Sequence, residues 1–289
     1  MQSSISCFLQ GFRLRLLLLL VINICLSHSQ ESCPSLPRVT TKNGVVEGFL
    51  ILSPPLNTHA FLGIPFAAPP TSQLRFAKTQ PPVNWDGVLE AKKQPPYCPQ
   101  EGSQFPTDED CLFLNVLTPG RGKDYPVMIL VPGGAFSFEG AQYQGDVSLA
   151  QNLVSKGITV VVIQYRLGPL GWCTTGDEVM RGNYGFWDAR QAIIWVKNNI
   201  KPFGGNPNEI TLYGGSAGAA IIDGLLMSPH SNGLFQKAFT FGAADRDMWK
   251  SDVKGNCEKH YEKLGLTWTD SNDLKTQLLK LNSKQLQGG

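Results

Sequence analysis

Gly214-Gly215-Ser216-Ala217-Gly218 is the stretch of this chain best equipped for chemistry. A serine hydroxyl attacks a carbonyl carbon when it stands clear of its own backbone and faces donors for the negative charge that moves onto oxygen. The spacing Gly214-x-Ser216-x-Gly218 fits a nucleophile-bearing turn. The apolar run over residues 210–213 reads as a strand, the run over 217–227 reads as a helix, and Ser216 falls at the break. Strand and helix cross so closely at such a bend that side chains two positions either side of the serine have no room. The first N–H groups of the helix then point at whatever the serine attacks. A glycine-rich loop that merely caps a buried strand is the plain alternative, and the strand before and helix after argue against it.

The elements that must position this turn follow from hydrophobic periodicity. Residues 39–52 alternate and contain Asn43-Gly44, a hairpin signal. Residues 59–70 read as a short strand entering a proline-rich loop, and residues 112–117 as a strand closed by Thr118-Pro119-Gly120. Residues 126–131 form a continuous apolar run that ends in Pro132-Gly133-Gly134-Ala135-Phe136. Residues 146–155 are helical, with Asp146 as N-cap after Gly145. Buried strands are expected at 158–165, 210–213 and 235–241, and a helix at 188–199. Residues 253–264 and 274–286 read as two amphipathic helices. Buried strands alternating with helices predict a mostly parallel α/β sheet.

The chain has 289 residues and is 42% hydrophobic, enough for one large domain or two small ones. Residues 1–29 combine Arg13 and Arg15 with an apolar run and Ser27-His28-Ser29, the pattern of a secretory signal peptide. Without that leader, 23 basic side chains equal the 23 acidic ones and no basic run remains, which argues against nucleic acid and anionic membrane surfaces as partners. No later stretch is long and apolar enough to span a bilayer, so residues 30–289 are expected as one secreted domain, or a domain of the ER lumen if retained. Five cysteines follow the leader: Cys33, Cys98, Cys111, Cys173 and Cys257. Cys98 and Cys111 are near in sequence and flank a polar loop, which makes them the favoured pair, and the partners of the other three stay open.

Two long motifs carry a family resemblance. Phe203-Gly204-Gly205 precedes Ile210-Thr211-Leu212-Tyr213-Gly214-Gly215-Ser216-Ala217-Gly218, and Glu109-Asp110-Cys111-Leu112-Phe113-Leu114-Asn115-Val116 lies upstream. Phe61-Leu62-Gly63-Ile64-Pro65, Leu74-Arg75-Phe76, Tyr165-Arg166-Leu167-Gly168-Pro169 and Gly182-Asn183-Tyr184-Gly185 fall in the same order. From about Val39 to Phe241 the chain resembles a type-B carboxylesterase, the cholinesterase-like branch of the α/β-hydrolases. The resemblance implies a central, mostly parallel sheet with flanking helices, a small-molecule ester substrate and no cofactor or metal. It implies Ser216 as nucleophile and an oxyanion hole from the N–H groups of Gly134, Ala135 and Ala217. Members usually read His-Gly-Gly-Gly where this chain reads Pro132-Gly133-Gly134-Ala135, so a side chain that braces the loop is missing. Gly215 stands where the family usually has Glu. The resemblance further implies a Cys98–Cys111 disulfide and the buried ion pairs Arg75–Glu109 and Arg166–Asp188, all with structural roles.

A serine esterase also needs a base beside its nucleophile and a carboxylate to orient that base. In this fold they follow the serine in the order acid, then histidine, and members run to nearly twice this length. The resemblance therefore implies that the C-terminal strands, the acid and the histidine are missing from the 289 residues. His59, His230 and His260 read as solvated or packing histidines. The expectation is a shortened secreted ester hydrolase with little activity of its own. The alternative is a non-catalytic, neuroligin-like binding protein on the same scaffold.

Overall fold

The apolar runs pair into one seven-stranded sheet in the computed structural model, which describes residues 36–242 and 252–288. The proposed leader and Cys33 lie outside the described residues. A small sheet first joins β1 (Arg38–Thr40), β2 (Val45–Glu47) and β5 (Val88–Glu90), with the Asn43-Gly44 turn connecting β1 to β2. The large sheet contains β3 (Phe49–Ile51), β4 (Thr58–Pro65), β6 (Phe113–Thr118), β7 (Tyr125–Val131), β8 (Thr159–Ile163), β9 (Gly205–Gly215) and β10 (Lys237–Phe241). Their spatial order is β10-β9-β7-β8-β6-β4-β3. Pairing is parallel from β10 through β9 and β7 to β8, and antiparallel from β8 through β6 and β4 to β3. The valine-rich β8 is buried along its whole length, as a strand covered on both faces must be.

Seven helices accompany these strands among the described residues: α1 (Asp146–Asn152), α2 (Gly168–Trp172), α3 (Tyr184–Asn199), α4 (Ala217–Met227), α5 (Val253–Lys263), α6 (Ser271–Lys280) and α7 (Ser283–Gln287). The N-cap of α1 is Gly145 rather than Asp146. Gly145 adopts a φ of 72°, and the Asp146 carboxylate accepts from Gln94 Nε2 at 2.7 Å instead of capping. The apolar run at 274–286 splits into α6 and α7 because Asn282 starts a new helix. Its side chain accepts from the Gln285 N–H at 2.8 Å while Gln285 Oε1 accepts from the Asn282 N–H at 2.9 Å, a capping box.

Two buried ion pairs tie loops to this frame. Asp188, on α3, accepts from Arg166 Nε (2.9 Å), Arg166 Nη2 (2.8 Å), the Arg166 N–H (2.9 Å) and the Thr79 hydroxyl. Arg75 Nε donates to Glu109 at 2.8 Å, and Arg75 Nη1 donates to the carbonyls of Leu278 and Leu281 at 3.0 and 2.7 Å. A guanidinium at those carbonyls also offsets the negative end of α6. Disulfides join Cys98 to Cys111 and Cys173 to Cys257.

Asp188 is fully buried and its partner nearly so. Asp188→Ala strands a charge, and we expect a loss of about 3–5 kcal/mol, read from the urea midpoint; a loss under about 1 kcal/mol would contradict the pairing. At the other end of the frame, β10 edges the sheet and exposes Phe239 and Phe241. Phe239→Lys should reduce self-association in light scattering, since a lysine on an edge strand opposes edge-to-edge pairing.

Candidate active site

Ser216 is exposed at the turn between β9 and α4, with φ 53° and ψ −123°. Positive φ is uncommon for a residue with a side chain, and the surroundings explain why it is held there. A Cβ on Gly214 would lie 2.8 Å from the Gly218 carbonyl carbon, and one on Gly218 would lie 2.2 Å from the Val131 oxygen. Strand β9, helix α4 and the end of β7 therefore meet backbone against backbone. The Ser216 N–H donates to the Phe241 carbonyl at 3.1 Å, tying the turn to the end of β10 as well. Gly215 has a local reason too: the Phe241 ring stands 2.4 Å from where a Cβ at that position would be.

The loop after β7 is braced without a side chain at position 132. The Tyr165 hydroxyl lies 2.8 Å from both the Pro132 and Gly133 carbonyls and donates its one proton between them. Burial, reinforced by the charge of Glu139, pushes the Tyr165 phenol well above its usual pKa, so it remains a donor. Gly134, Ala135 and Phe136 follow with φ of 78°, 48° and 62°. A side chain at Gly134 would meet the Phe138 oxygen at 1.9 Å, and the Gly134 carbonyl accepts from the Ser137 and Phe138 N–H groups at 2.8 and 3.0 Å. Two left-handed residues with side chains cost about 1–3 kcal/mol each, and such strain persists where the surroundings over-determine it.

Ala135, Ser216 and Ala217 line one cavity of about 760 Å³, while Gly134 is buried and is not among its lining residues. As the first residue of α4, Ala217 has an N–H without an intrahelical acceptor. Phe136, Trp172 and Phe186 form an edge-to-face aromatic wall with centroids 4.7 and 5.3 Å apart. Val253, Asn256, Cys257 and His260 of α5 also line the cavity, and among the described residues no Asp, Glu, Lys or Arg does. His260 is thus part of the cavity wall rather than a solvated residue, with Nε2 at 2.8 Å from the Leu286 carbonyl. His230 lies elsewhere, its ring 5.4 Å from that of Trp187, and His59 packs beside Gly120. Among the described residues, no side chain hydrogen-bonds the Ser216 hydroxyl, and no group of His, Cys, Asp or Glu is placed to hold a metal.

Glu139 escapes the sequence reading because no motif contains it. Its carboxylate accepts from the Gly133 N–H, and its own N–H and C=O are pinned by Gln100 at 3.0 and 3.1 Å. A Cβ placed on Gly133 would lie 3.6 Å from Ser216 Cβ and 3.9 Å from Glu139 Oε2, so the carboxylate stands close behind the serine. Burial raises the Glu139 pKa, and the Gly133 hydrogen bond opposes that rise.

Comparison with known proteins gives a consistent result. The model of the carboxylesterase family matches residues 35–288. Acylcarnitine hydrolase of Mus musculus is 40% identical over 242 residues, which is 77% of this chain and 42% of that protein. Carboxylesterase 5A of Mus musculus is 42% identical over 221 residues, covering 70% of this chain and 38% of that protein. Among solved structures, a PNB esterase superposes with a TM-score of 0.78 at 34% identity, covering 88% of this chain and 53% of that one. The chain thus spans about two fifths of the length of these curated relatives.

The raised pKa of Glu139 fixes the sign of a pH effect. A carboxyl that holds its proton more tightly when folded costs stability as pH rises from the ordinary carboxylate range through its raised value. Glu139→Gln keeps an acceptor for Gly133 without the charge. It should melt higher than the parent near neutral pH, with the gap closing toward about pH 4. A variant that melts lower at neutral pH than the parent would contradict this assignment.

Proposed function

The chain belongs to the carboxylesterase family, and on that basis we propose that Ser216 is the nucleophile of a carboxylic ester hydrolase. The observation that carries this reading is the left-handed Ser216 at the mouth of a cavity that it shares with Ala135 and Ala217. Ser216 Oγ adds to the ester carbonyl carbon, and the carbonyl oxygen takes up the negative charge. The N–H groups of Gly134, Ala135 and Ala217 receive that charge, each worth about 3–4 kcal/mol in the transition state. Collapse of the intermediate expels the alcohol and leaves an acyl-serine, which water then hydrolyses.

The hydroxyl proton needs an acceptor. Since the relatives extend to more than twice the matched length, we assign the general base and its orienting carboxylate to residues outside 36–288. Tyr165 and Glu139 hold the oxyanion loop from two sides, and Cys98–Cys111, Arg75–Glu109 and Arg166–Asp188 keep structural roles. Two disulfides suit an oxidising compartment, which agrees with residues 1–29 acting as a secretory leader. No helix among the described residues is long and apolar enough to cross a membrane.

A fluorophosphonate probe, followed by peptide mapping, tests the nucleophile. Ser216 should carry the adduct, and Ser216→Ala should abolish it. Labelling should be slow, on the order of a thousandfold or more below that of a complete triad, because donors and binding alone give residual acceleration. An adduct elsewhere, or ester turnover that survives Ser216→Ala, would remove Ser216 from the role.

A further inference from the structure

The Cys173–Cys257 disulfide takes no part in the chemistry above, yet both of its cysteines line the cavity into which Ser216 opens. Cys173 ends α2, the helix that carries Trp172 of the aromatic wall, and Cys257 lies within α5 on another side of the cavity. The bond joins residues 84 apart in sequence. On α5 the cavity-lining residues Val253, Asn256, Cys257 and His260 recur at the spacing of one helical face.

Helix α5 is anchored by Tyr261, which is fully buried in a cluster with Phe76, Leu170, Met180 and Tyr184. Cys257 and Tyr261 are its buried residues, and His260 adds one hydrogen bond to Leu286. A bulky ligand entering the cavity would press on the face of α5 that carries Cys257, and there the covalent bond to Cys173 resists outward movement. The cavity also declares a ligand class. Among the described residues its walls carry the rings of Phe136, Trp172 and Phe186 with Val253 and the polar tips of Asn256 and His260, a lining that suits apolar ester groups.

We propose that the Cys173–Cys257 disulfide is a specificity-determining strap. It fixes α5 as a wall of the cavity and so restricts the site to apolar ester groups of limited bulk. The size filter is a property of the cavity, whereas its action on esters rests on the reading of Ser216 as nucleophile.

The test compares modification rates of Ser216 by diisopropyl and dibenzyl fluorophosphate in the parent, in Cys173→Ser/Cys257→Ser and in Val253→Trp. Removing the strap should raise the dibenzyl-to-diisopropyl ratio about tenfold, and Val253→Trp should lower it about tenfold with the disulfide intact. Should the double variant fail to fold, mild reduction and alkylation of the folded parent opens the same bond and should raise the same ratio; an unchanged ratio once the bond is open overturns the proposal. An unchanged ratio in Val253→Trp overturns the proposal, as do free thiols at Cys173 and Cys257 in non-reducing peptide maps. The same pair of substitutions, made in Ser216→Ala protein, is read by equilibrium binding of a small and a large uncharged naphthalene dye. If no probe labels Ser216 but the dye ratio shifts, the nucleophile assignment fails and the strap stands; if labelling occurs but neither ratio shifts, the strap fails alone.

Discussion

Three strand ends meet at one level, and backbone contact between them governs the rest of the site. Val131 pairs with Gly214 across β7 and β9, and Phe241 pairs with Gly215 across β10 and β9. Because these strands run parallel, their carboxyl ends all emerge on the same edge. One end delivers the loop from Pro132, one delivers Ser216, and one delivers the Phe241 carbonyl that takes the Ser216 N–H. The glycines at 214 and 218 are what let α4 descend onto this edge, since each would otherwise place a Cβ within 3 Å of another backbone. The left-handed serine follows from that crossing. The chain must leave β9 and enter α4 within one residue, and no relaxed conformation makes so sharp a turn.

A second level of order comes from β8. Tyr165 and Arg166 follow it in sequence and make bonds in different directions. Arg166 is locked to Asp188 on α3 and donates to the Ala77 carbonyl at 3.0 Å. That leaves Tyr165 little freedom, and its hydroxyl meets the carbonyls of the loop beside Ser216. A buried charge pair is weak evidence for stability but strong evidence for fixed position, since neither partner can leave without exposing the other to an apolar interior. The pair thus acts at a distance on a loop it does not touch. The bracing that a side chain at position 132 would provide comes instead from the residue that follows the neighbouring strand.

What was legible in the sequence was local. The limits of α4 follow from Ser216 and from the apolar residues behind it, and β7, β8 and β9 show as runs of valine, isoleucine and leucine. Strand direction was not legible at β4 and β6, because a run buried on both faces carries no mark of its orientation. The short α2 is hidden by Gly168, Pro169 and Gly171, which read as loop. Asp146 looked like a cap, but a distant glutamine, Gln94, takes its carboxylate. Cys173 with Cys257, and Glu139 with Gly133, are contacts that only the folded chain creates. Glu139 shows why: a single acid among small residues carries no periodic or motif signal, although the fold sets it behind the serine.

Acyl transfer makes two demands on a site, and on the reading of Ser216 as nucleophile they fall to different parts of the molecule. Stabilising charge on oxygen depends on fixed amide dipoles, which need no proton movement and are built from the same hydrogen-bonded backbone that holds the fold. Accepting the serine proton depends on a mobile, titratable group with its own support. On that reading the first demand falls to a strained turn, a loop braced by Tyr165, and the start of α4, whose Ala217 lines the cavity. Toward the second, residues 36–288 provide no side chain bonded to Ser216 among those described. His260 shares the cavity but is engaged with the Leu286 carbonyl, a contact that serves the placing of α5. The strain at Ser216 follows from the crossing of β9 and α4, whereas Ala135 and Phe136 hold positive φ in a loop without such a crossing. A relaxed connection could leave β7 at less cost, so the conformation of that loop argues that this end of the sheet is shaped for a ligand.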